Sequence, residues 1–230
     1  MKRCRQSLAL LSRLVDDDVR KQVLRECQQH EYEKGEQIVR EMDEDNNVYF
    51  IDEGCARVML YSCRGREVSF IDLYEGDNFG ELSAIDGRPR SANVVALKKT
   101  RITVMHAEVF LELLVKYPSV NLYFLRQLTG MVRRLCDRIF EYSTLAVVHR
   151  IHAELLRIAR QNIDLDGVSR IKNMPTHAQL GSRLSCNREA VSRELSELER
   201  LGIISRVQRK FIIEDVSKLE QLVETNKHEK

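Results

Sequence analysis

Between Leu125 and Ala146 the hydrophobic positions fall at alternating intervals of three and four: Leu125, Leu128, Val132, Leu135, Ile139, Tyr142 and Ala146. A strict seven-residue repeat keeps an apolar seam on one side of a helix when that helix supercoils around a partner. A helix packed on its own domain drifts instead toward a 3.6-residue period. Here Leu125, Val132, Ile139 and Ala146 occupy a, and Leu128, Leu135 and Tyr142 occupy d. Two β-branched residues at a with leucines at d predict a parallel two-stranded coiled coil. Pro118 suits a first helical turn, so the pattern predicts a dimerisation helix over residues 118–146, within helical patterning that runs from Ala107 to about Gln161.

The texture upstream is different. Residues 16–29 open with Asp16, Asp17 and Asp18, which suit a helix N-terminus. From about residue 30 to 106, short β-rich runs follow one another: Val48–Ile51, Ala56–Tyr61, Val68–Ile71 and Arg101–Met105. Turns containing Gly35, Gly54, Gly65, Gly76 and Gly87 separate them. Close strand spacing with glycine punctuation predicts an antiparallel sandwich or roll.

Downstream, residues 176–184 (THAQLGSRL), the turn 185–187 (SCN) and residues 188–201 (REAVSRELSELERL) form one unit before Gly202. Asn187 suits the N-cap of the second helix. Val191, Leu195 and Leu198 make its inner stripe, and Gly202 is placed to stop it. Arg188, Glu189, Ser192 and Arg193 then project outward from its first two turns. Two short helices joined by a tight turn, the second with a polar, arginine-rich leading end, is the helix-turn-helix plan. Ile203–Val207 and Lys210–Ile213 predict two strands around a basic turn, a wing. The fold class expected is α+β: an N-terminal β-roll over 1–117, a coiled-coil dimer helix over 118–146 and a C-terminal winged helix-turn-helix over 147–230.

Charge sharpens this division. The net charge of +2 hides an asymmetry: residues 1–118 carry three more acidic than basic residues, and residues 147–230 three more basic than acidic. A basic back end is compatible with nucleic acid there. The six cysteines (Cys4, Cys27, Cys55, Cys63, Cys136 and Cys186) form no C-x-x-C pair. They are expected as buried or half-buried thiols rather than a zinc site or disulfide framework. His149 and His152 can share a helix face, but no further ligand candidate lies near them. The basic start is followed by an apolar stretch too short for a signal peptide, and no run reaches membrane-spanning length; a cytoplasmic location is the expectation.

Candidate binding chemistry concentrates between Phe79 and Ala92. Glycine at Gly80 lets backbone approach a ligand, and the amides that open the following turn can face an anion. The Glu81 carboxylate can accept from sugar hydroxyls. Arg90 can grip a phosphate with two parallel bonds, with Ser91 as a further donor. From spacing alone, Glu81 and Arg90 fit equally well as a structural ion pair on a turn.

Gly80-Glu81-Leu82 followed by Arg90-Ser91-Ala92 resembles the phosphate-binding cassette of the cyclic AMP receptor protein (catabolite activator)/FNR family. The order of β-roll, dimer helix and helix-turn-helix matches as well, so the resemblance spans nearly the whole chain. It implies a cyclic-nucleotide-dependent, homodimeric transcription regulator. Glu81 would bind the ribose 2′-hydroxyl, while Arg90, Ser91 and the Leu82 amide would hold the cyclic phosphate, and Gly80 would admit the ligand. The chain departs from the family pattern where a Thr-Ser pair on the dimer helix contacts adenine, because the matching positions are Leu135 and Cys136. Leucine donates no hydrogen bond and a thiol donates weakly. Cyclic AMP is therefore the first choice of effector and cyclic GMP the alternative.

On the DNA side the resemblance puts Arg188, Glu189 and Arg193 at positions that read a TGTGA-like half-site of a palindromic operator. Arginine pairs with guanine and glutamate accepts from cytosine. Ser192 shares that face. Thr176 and Ser185, at helix and turn starts, are expected to cap helices or meet phosphates, and Arg206, Arg209 and Lys210 on the wing to contact the phosphates of double-stranded DNA, which position without specifying sequence. RNA polymerase is the further partner implied, through a surface loop at residues 164–170. An iron–sulfur sensor of the same superfamily needs a tight N-terminal cysteine cluster, and Cys4 and Cys27 are too far apart for one. No P-loop or catalytic-triad spacing points to an enzyme.

Overall fold

Four consecutive apolar side chains, Val48, Tyr49, Phe50 and Ile51, are all buried, because the strand that carries them is covered on both faces. Side chains alternate across a strand. Tyr49 and Ile51 accordingly enter one cluster with Val39, Ala56, Leu73, Phe79, Val94 and Ile102. Val48 and Phe50 enter another with Met105, Phe110, Leu113, Val120 and Phe124. The first cluster lies between β-sheets and the second joins a sheet to helices.

This computed structural model describes residues 15–63, 65, 67–162, 164, 168–171, 174–207 and 210–228. It begins with α1 (Asp17–Arg25), β1 (Gln28–Tyr32), β2 (Gln37–Val39), β3 (Val48–Glu53), β4 (Cys55–Tyr61), β5 (Glu67–Tyr74) and β6 (Asn78–Phe79). A single-turn helix α2 (Glu81–Asp86) follows, then β7 (Asn93–Ala96), β8 (Thr100–Met105), α3 (Ala107–Lys116) and α4 (Pro118–Thr144). One sheet has the order β1-β8-β3-β6 and the other β2-β7-β4-β5. Their pairings are antiparallel, so the predicted roll is present.

The chain divides into two compact units after Met131, within α4. The first turns of α4 are anchored by buried Val120 and Phe124, whose ring meets Phe110 edge-on at 4.8 Å. Beyond them Leu125, Val132, Leu135, Ile139 and Tyr142 are exposed along the predicted seam.

The second unit continues with α5 (Val147–Gln161), β9 (Ser169–Ile171), α6 (His177–Leu184), α7 (Arg188–Arg200), β10 (Ile204–Val207), β11 (Lys210–Ile213) and α8 (Val216–His228). The strands form an antiparallel sheet in the order β10-β11-β9. Its core holds Leu155, Leu180, Leu184, Val191, Leu195, Leu198, Ile203 and Ile213.

Three expectations are corrected. The first helix stops at Arg25, and Gln28 and Gln29 belong to β1. The long helix ends at Thr144: Ala146 has extended backbone (φ −61°, ψ 160°) and caps α5, so it is not part of the seam. Cys63 and Cys136 are exposed rather than buried. The loop at 164–170 is described only in part, and Cys4 and the basic start lie outside the described residues. Among those residues no helix is long and apolar enough to cross a membrane, and no group of acidic, histidine and cysteine side chains is arranged to hold a metal ion.

Candidate effector pocket and nucleic-acid interface

At the end of β6 the chain turns into α2 through Gly80, which has φ +89°. A Cβ there would lie 2.6 Å from Arg90 Nη1 and 2.7 Å from the Asn47 carbonyl oxygen. Both the backbone angle and the contact require glycine. Arg90 is brought under this turn by backbone ties: its N–H donates to Asp43 O and its carbonyl accepts from Met42 N–H, each at 2.9 Å.

Arg90 is only 2% exposed, and its fork is almost fully used. Nη1 donates to Gly80 O at 3.0 Å and Nη2 to Asn47 O at 2.7 Å. Nε donates to Asp45 Oδ2 at 3.2 Å, and Nη2 also bonds that oxygen. The guanidinium carbon lies 5.2 Å from the Tyr49 ring centroid. Tyr49 itself stacks on Phe79 at 4.9 Å and donates its hydroxyl to Asp45 Oδ2 at 2.7 Å. The ion-pair partner of Arg90 is therefore Asp45, not Glu81.

Glu81, 7% exposed, starts α2 and accepts from Asn78 Nδ2 at 3.2 Å. Burial raises the pKa of its carboxyl, with partial relief from its own amide, Asn78 and Arg90. Because its folded pKa lies above the unfolded one, the charged form is disfavoured in the fold. Stability is therefore lost as pH rises into the range where Glu81 ionises. Glu81→Gln should raise Tm at pH 7 by about 2–4 °C, the shift that about 1 kcal/mol produces in a chain of this size. The gain should shrink as pH falls and the wild-type carboxyl regains its proton. Thermal melts without nucleotide over a series of pH values from acid to neutral check this, and a gain that is absent or independent of pH would contradict it.

Gly80, Glu81 and Arg90 are thus brought together, with Leu82 and Ser91 exposed on the same turn and its return. Leu135 and Cys136 lie beyond Met131 on α4, both exposed. Asp45, Asn47, Tyr49 and Asn78 were not anticipated. The one sequence signal for Asp45 is its place in the acidic turn Asp43-Glu44-Asp45 just before a strand.

In the second unit, α6 begins with a capping box. Thr176 Oγ1 accepts from Gln179 N at 3.2 Å, and Gln179 Oε1 accepts from Thr176 N at 2.9 Å. Thr176 is thus a helix cap first. The turn to α7 is tight: Ser185 takes left-handed backbone at φ 52°, and a Cβ on Gly181 would meet the Cys186 carbonyl at 2.9 Å. Asn187 Oδ1 caps α7 by accepting from Ala190 N at 2.8 Å.

With Val191, Leu195 and Leu198 buried beneath them, Arg188, Glu189 and Arg193 are exposed and Ser192 is half-buried. His177, at the start of α6, was missed. Its pKa is lowered by burial, then by the charges of Arg206 on β10 and Arg188 on α7. Arg206 Nη2 lies 3.4 Å from His177 Nε2. The start of α6, the start of α7 and β10 thus bring His177, Arg188 and Arg206 near one another, with Glu199 Oε2 3.9 Å from Arg206 Nε. Lys210 begins β11, but its side chain, like the whole of Arg209, lies outside the described residues.

A third polar centre ties helices together. Glu154 on α5 is buried yet receives three arginines: Arg157, Arg138 at 3.4 Å and Arg183 at 3.5 Å. Arg157 also reaches Glu141 at 2.8 Å. Tyr142 donates to the Arg183 carbonyl, which also accepts from Arg138 Nη1 at 3.3 Å. On the opposite side, His152 Nε2 lies 2.6 Å from Glu194 Oε1 on α7.

Two family models match this chain in order: "Cyclic nucleotide-binding domain" over residues 29–117 and "Crp-like helix-turn-helix domain" over residues 149–222. The chain is 29% identical over 178 residues to the cyclic AMP receptor protein of Thermus thermophilus, covering 75% of this chain and 77% of that one. It is 24% identical over 191 residues to the cAMP-activated global transcriptional regulator CRP of Salmonella typhimurium, covering 83% and 91%. In fold it resembles a mutant of CooA from Carboxydothermus hydrogenoformans, with a TM-score of 0.81, 20% identity and 94% of each chain covered. With a cyclic-nucleotide-binding domain, a long helix and a Crp-like helix-turn-helix in this order, the chain belongs to the cyclic AMP receptor protein/FNR family of transcription regulators.

Proposed function

We propose that this protein is a cyclic-AMP-responsive, homodimeric DNA-binding regulator. Residues 1–117 sense the nucleotide, 118–146 dimerise and 147–230 bind DNA. The observation that carries this reading is Arg90, a buried guanidinium held beneath the Gly80-Glu81 turn at the edge of the β-roll. Arg90 and Ser91 are assigned to the cyclic phosphate together with the Leu82 amide, and Glu81 to the ribose 2′-hydroxyl. The buried placement of Glu81 suits a carboxylate that accepts from a ligand hydroxyl. Leu135 and Cys136 are assigned to the base, where they offer an apolar surface and a weak donor in place of two hydroxyls. The relatives named for activation or reception by cyclic AMP support that nucleotide over cyclic GMP.

A parallel seam relates two helix-turn-helix units by a two-fold axis. Half-site centres on the operator should then be about 34 Å, or about 10 base pairs, apart. Arg188, Glu189 and Arg193 read bases; Thr176, Ser192, Arg206 and Lys210 lie along the phosphates, and RNA polymerase is the partner of the assembled complex. A ligand shifts a two-state equilibrium only by its differential affinity for the two states. Cyclic AMP should therefore stimulate specific DNA binding more than cyclic GMP does, even at saturation of both.

The test combines calorimetric titration of each nucleotide with binding-site selection in its presence. Equal stimulation by both, or an asymmetric single site, would overturn the reading. In the same selection Glu189→Ala should relax preference at one base pair, at a cost of about 1–3 kcal/mol against the preferred site. Lys210→Ala should weaken all sequences alike and flatten the salt dependence.

A further inference from the structure

We propose that Asp45 sets the affinity of the Arg90 site by acting as an internal anion, which an incoming phosphodiester must displace. This rests on the nucleotide reading above and adds the residue against which the ligand competes.

The donor inventory makes the case. An arginine has five N–H donors. Two of those on Arg90 go to the carbonyls of Gly80 and Asn47, which also fix its position. Two more, on Nε and Nη2, converge on Asp45 Oδ2. That pair is the edge of the fork suited to a two-point grip on an oxyanion. A single Nη1 donor is left over, enough for one hydrogen bond and not for a fork.

Exposure decides which partner moves. The Arg90 side chain is 3% exposed and the Asp45 side chain 34%. Arg90 is locked by backbone carbonyls and by the Tyr49 ring, whereas Asp45 can turn into water, where hydration offsets the hydrogen bonds it gives up. Burial opposes the Asp45 charge, yet hydrogen bonds from Arg90, Tyr49 and the Asn47 amide hold its pKa below the usual carboxylate value. Asp45 is thus an anion at neutral pH. A cyclic phosphodiester also carries one negative charge, so the exchange leaves the charge at Arg90 unchanged. When Asp45 leaves, the Tyr49 hydroxyl becomes a second donor for the newcomer. The measured affinity is then the difference between two anions at one guanidinium.

The experiment is calorimetric titration of the full chain with cyclic AMP, comparing wild type, Asp45→Asn and Arg90→Ala. Asp45→Asn should bind about tenfold more tightly, the factor given by one charge-assisted hydrogen bond that no longer has to be broken. Arg90→Ala should bind at least about 30-fold more weakly. Unchanged or weaker binding by Asp45→Asn, with binding still weakened in Arg90→Ala, makes Asp45 a fixed support and overturns the proposal while the site assignment stands. Wild-type affinity in Arg90→Ala removes the site assignment itself, and the proposal with it. The carboxyl carbon resonance of Asp45 in the wild type gives a readout that needs no variant to fold. On saturation with cyclic AMP it should move to the position of a solvated carboxylate, and a resonance that stays in place overturns the displacement.

Discussion

Arg90→Ala is expected to lose nucleotide binding and to loosen the β-roll in one step. The binding loss follows from removing a charge-assisted fork at a partly desolvated phosphate. By analogy with interface charge pairs this costs about 2–5 kcal/mol, or roughly 30-fold to several thousand-fold in affinity. The structural loss follows from what Arg90 holds: two backbone carbonyls, of Gly80 and Asn47, and the Asp45 carboxylate. Removing one partner of a buried pair typically costs about 3–5 kcal/mol. The lower end applies here, because Asp45 is one-third exposed and can rehydrate. Calorimetry and denaturant unfolding separate the two effects. An affinity within twofold of wild type would remove Arg90 from the site.

Val132→Glu combined with Ile139→Glu should convert a dimer into monomers. Both side chains are exposed, at 58% and 65%, on a helix whose own unit gives them no cover. Two apolar side chains one heptad apart and open to solvent are what a paired helix would cover. Glutamates there face their own images across the two-fold, so each substitution places like charges together and removes a core contact. Sedimentation should give a dimer for the wild type with or without nucleotide, and a monomer for the double variant. An unchanged dimer would place the interface elsewhere. The variant should also lose affinity for a palindromic site far more than for a half-site, since the two recognition helices then bind independently.

These expectations depend on features of unequal visibility in the sequence. The long helix α4, the capped α7 and the buried stripe of Val191, Leu195 and Leu198 were legible because local period and local capping chemistry specify them. So were β3, β4, β5 and β8. The short strands β1, β2, β6 and β7 were not. Gln28–Tyr32 reads as a polar run with no alternation, and it becomes a strand only because its backbone pairs with Thr100–Val104. Ala146 kept the heptad spacing but not the helix, since hydrophobic period carries no information about where backbone geometry breaks.

At the site, Gly80, Glu81 and Arg90 were legible as a cluster because they lie within one short segment. Asp45 was not: it sits in an acidic turn of ordinary appearance, 45 residues from the arginine it pairs with. Glu154 was hidden for the same reason, as its arginines come from α4, α5 and α6.

The non-helical link at Leu145–Ala146 has the outward form of a hinge, but it is bridged on both sides. The end of α4 is fastened across it to α5 through Arg157 and Glu141, and to α6 through Tyr142 and the Arg183 carbonyl. Arg138 reaches both Glu154 and Arg183 from one and a half turns earlier. The end of α4 is thus held to α5 and α6 by a handful of side chains, all within the second unit. The break in the helix is therefore laced shut by side chains rather than left as a free joint.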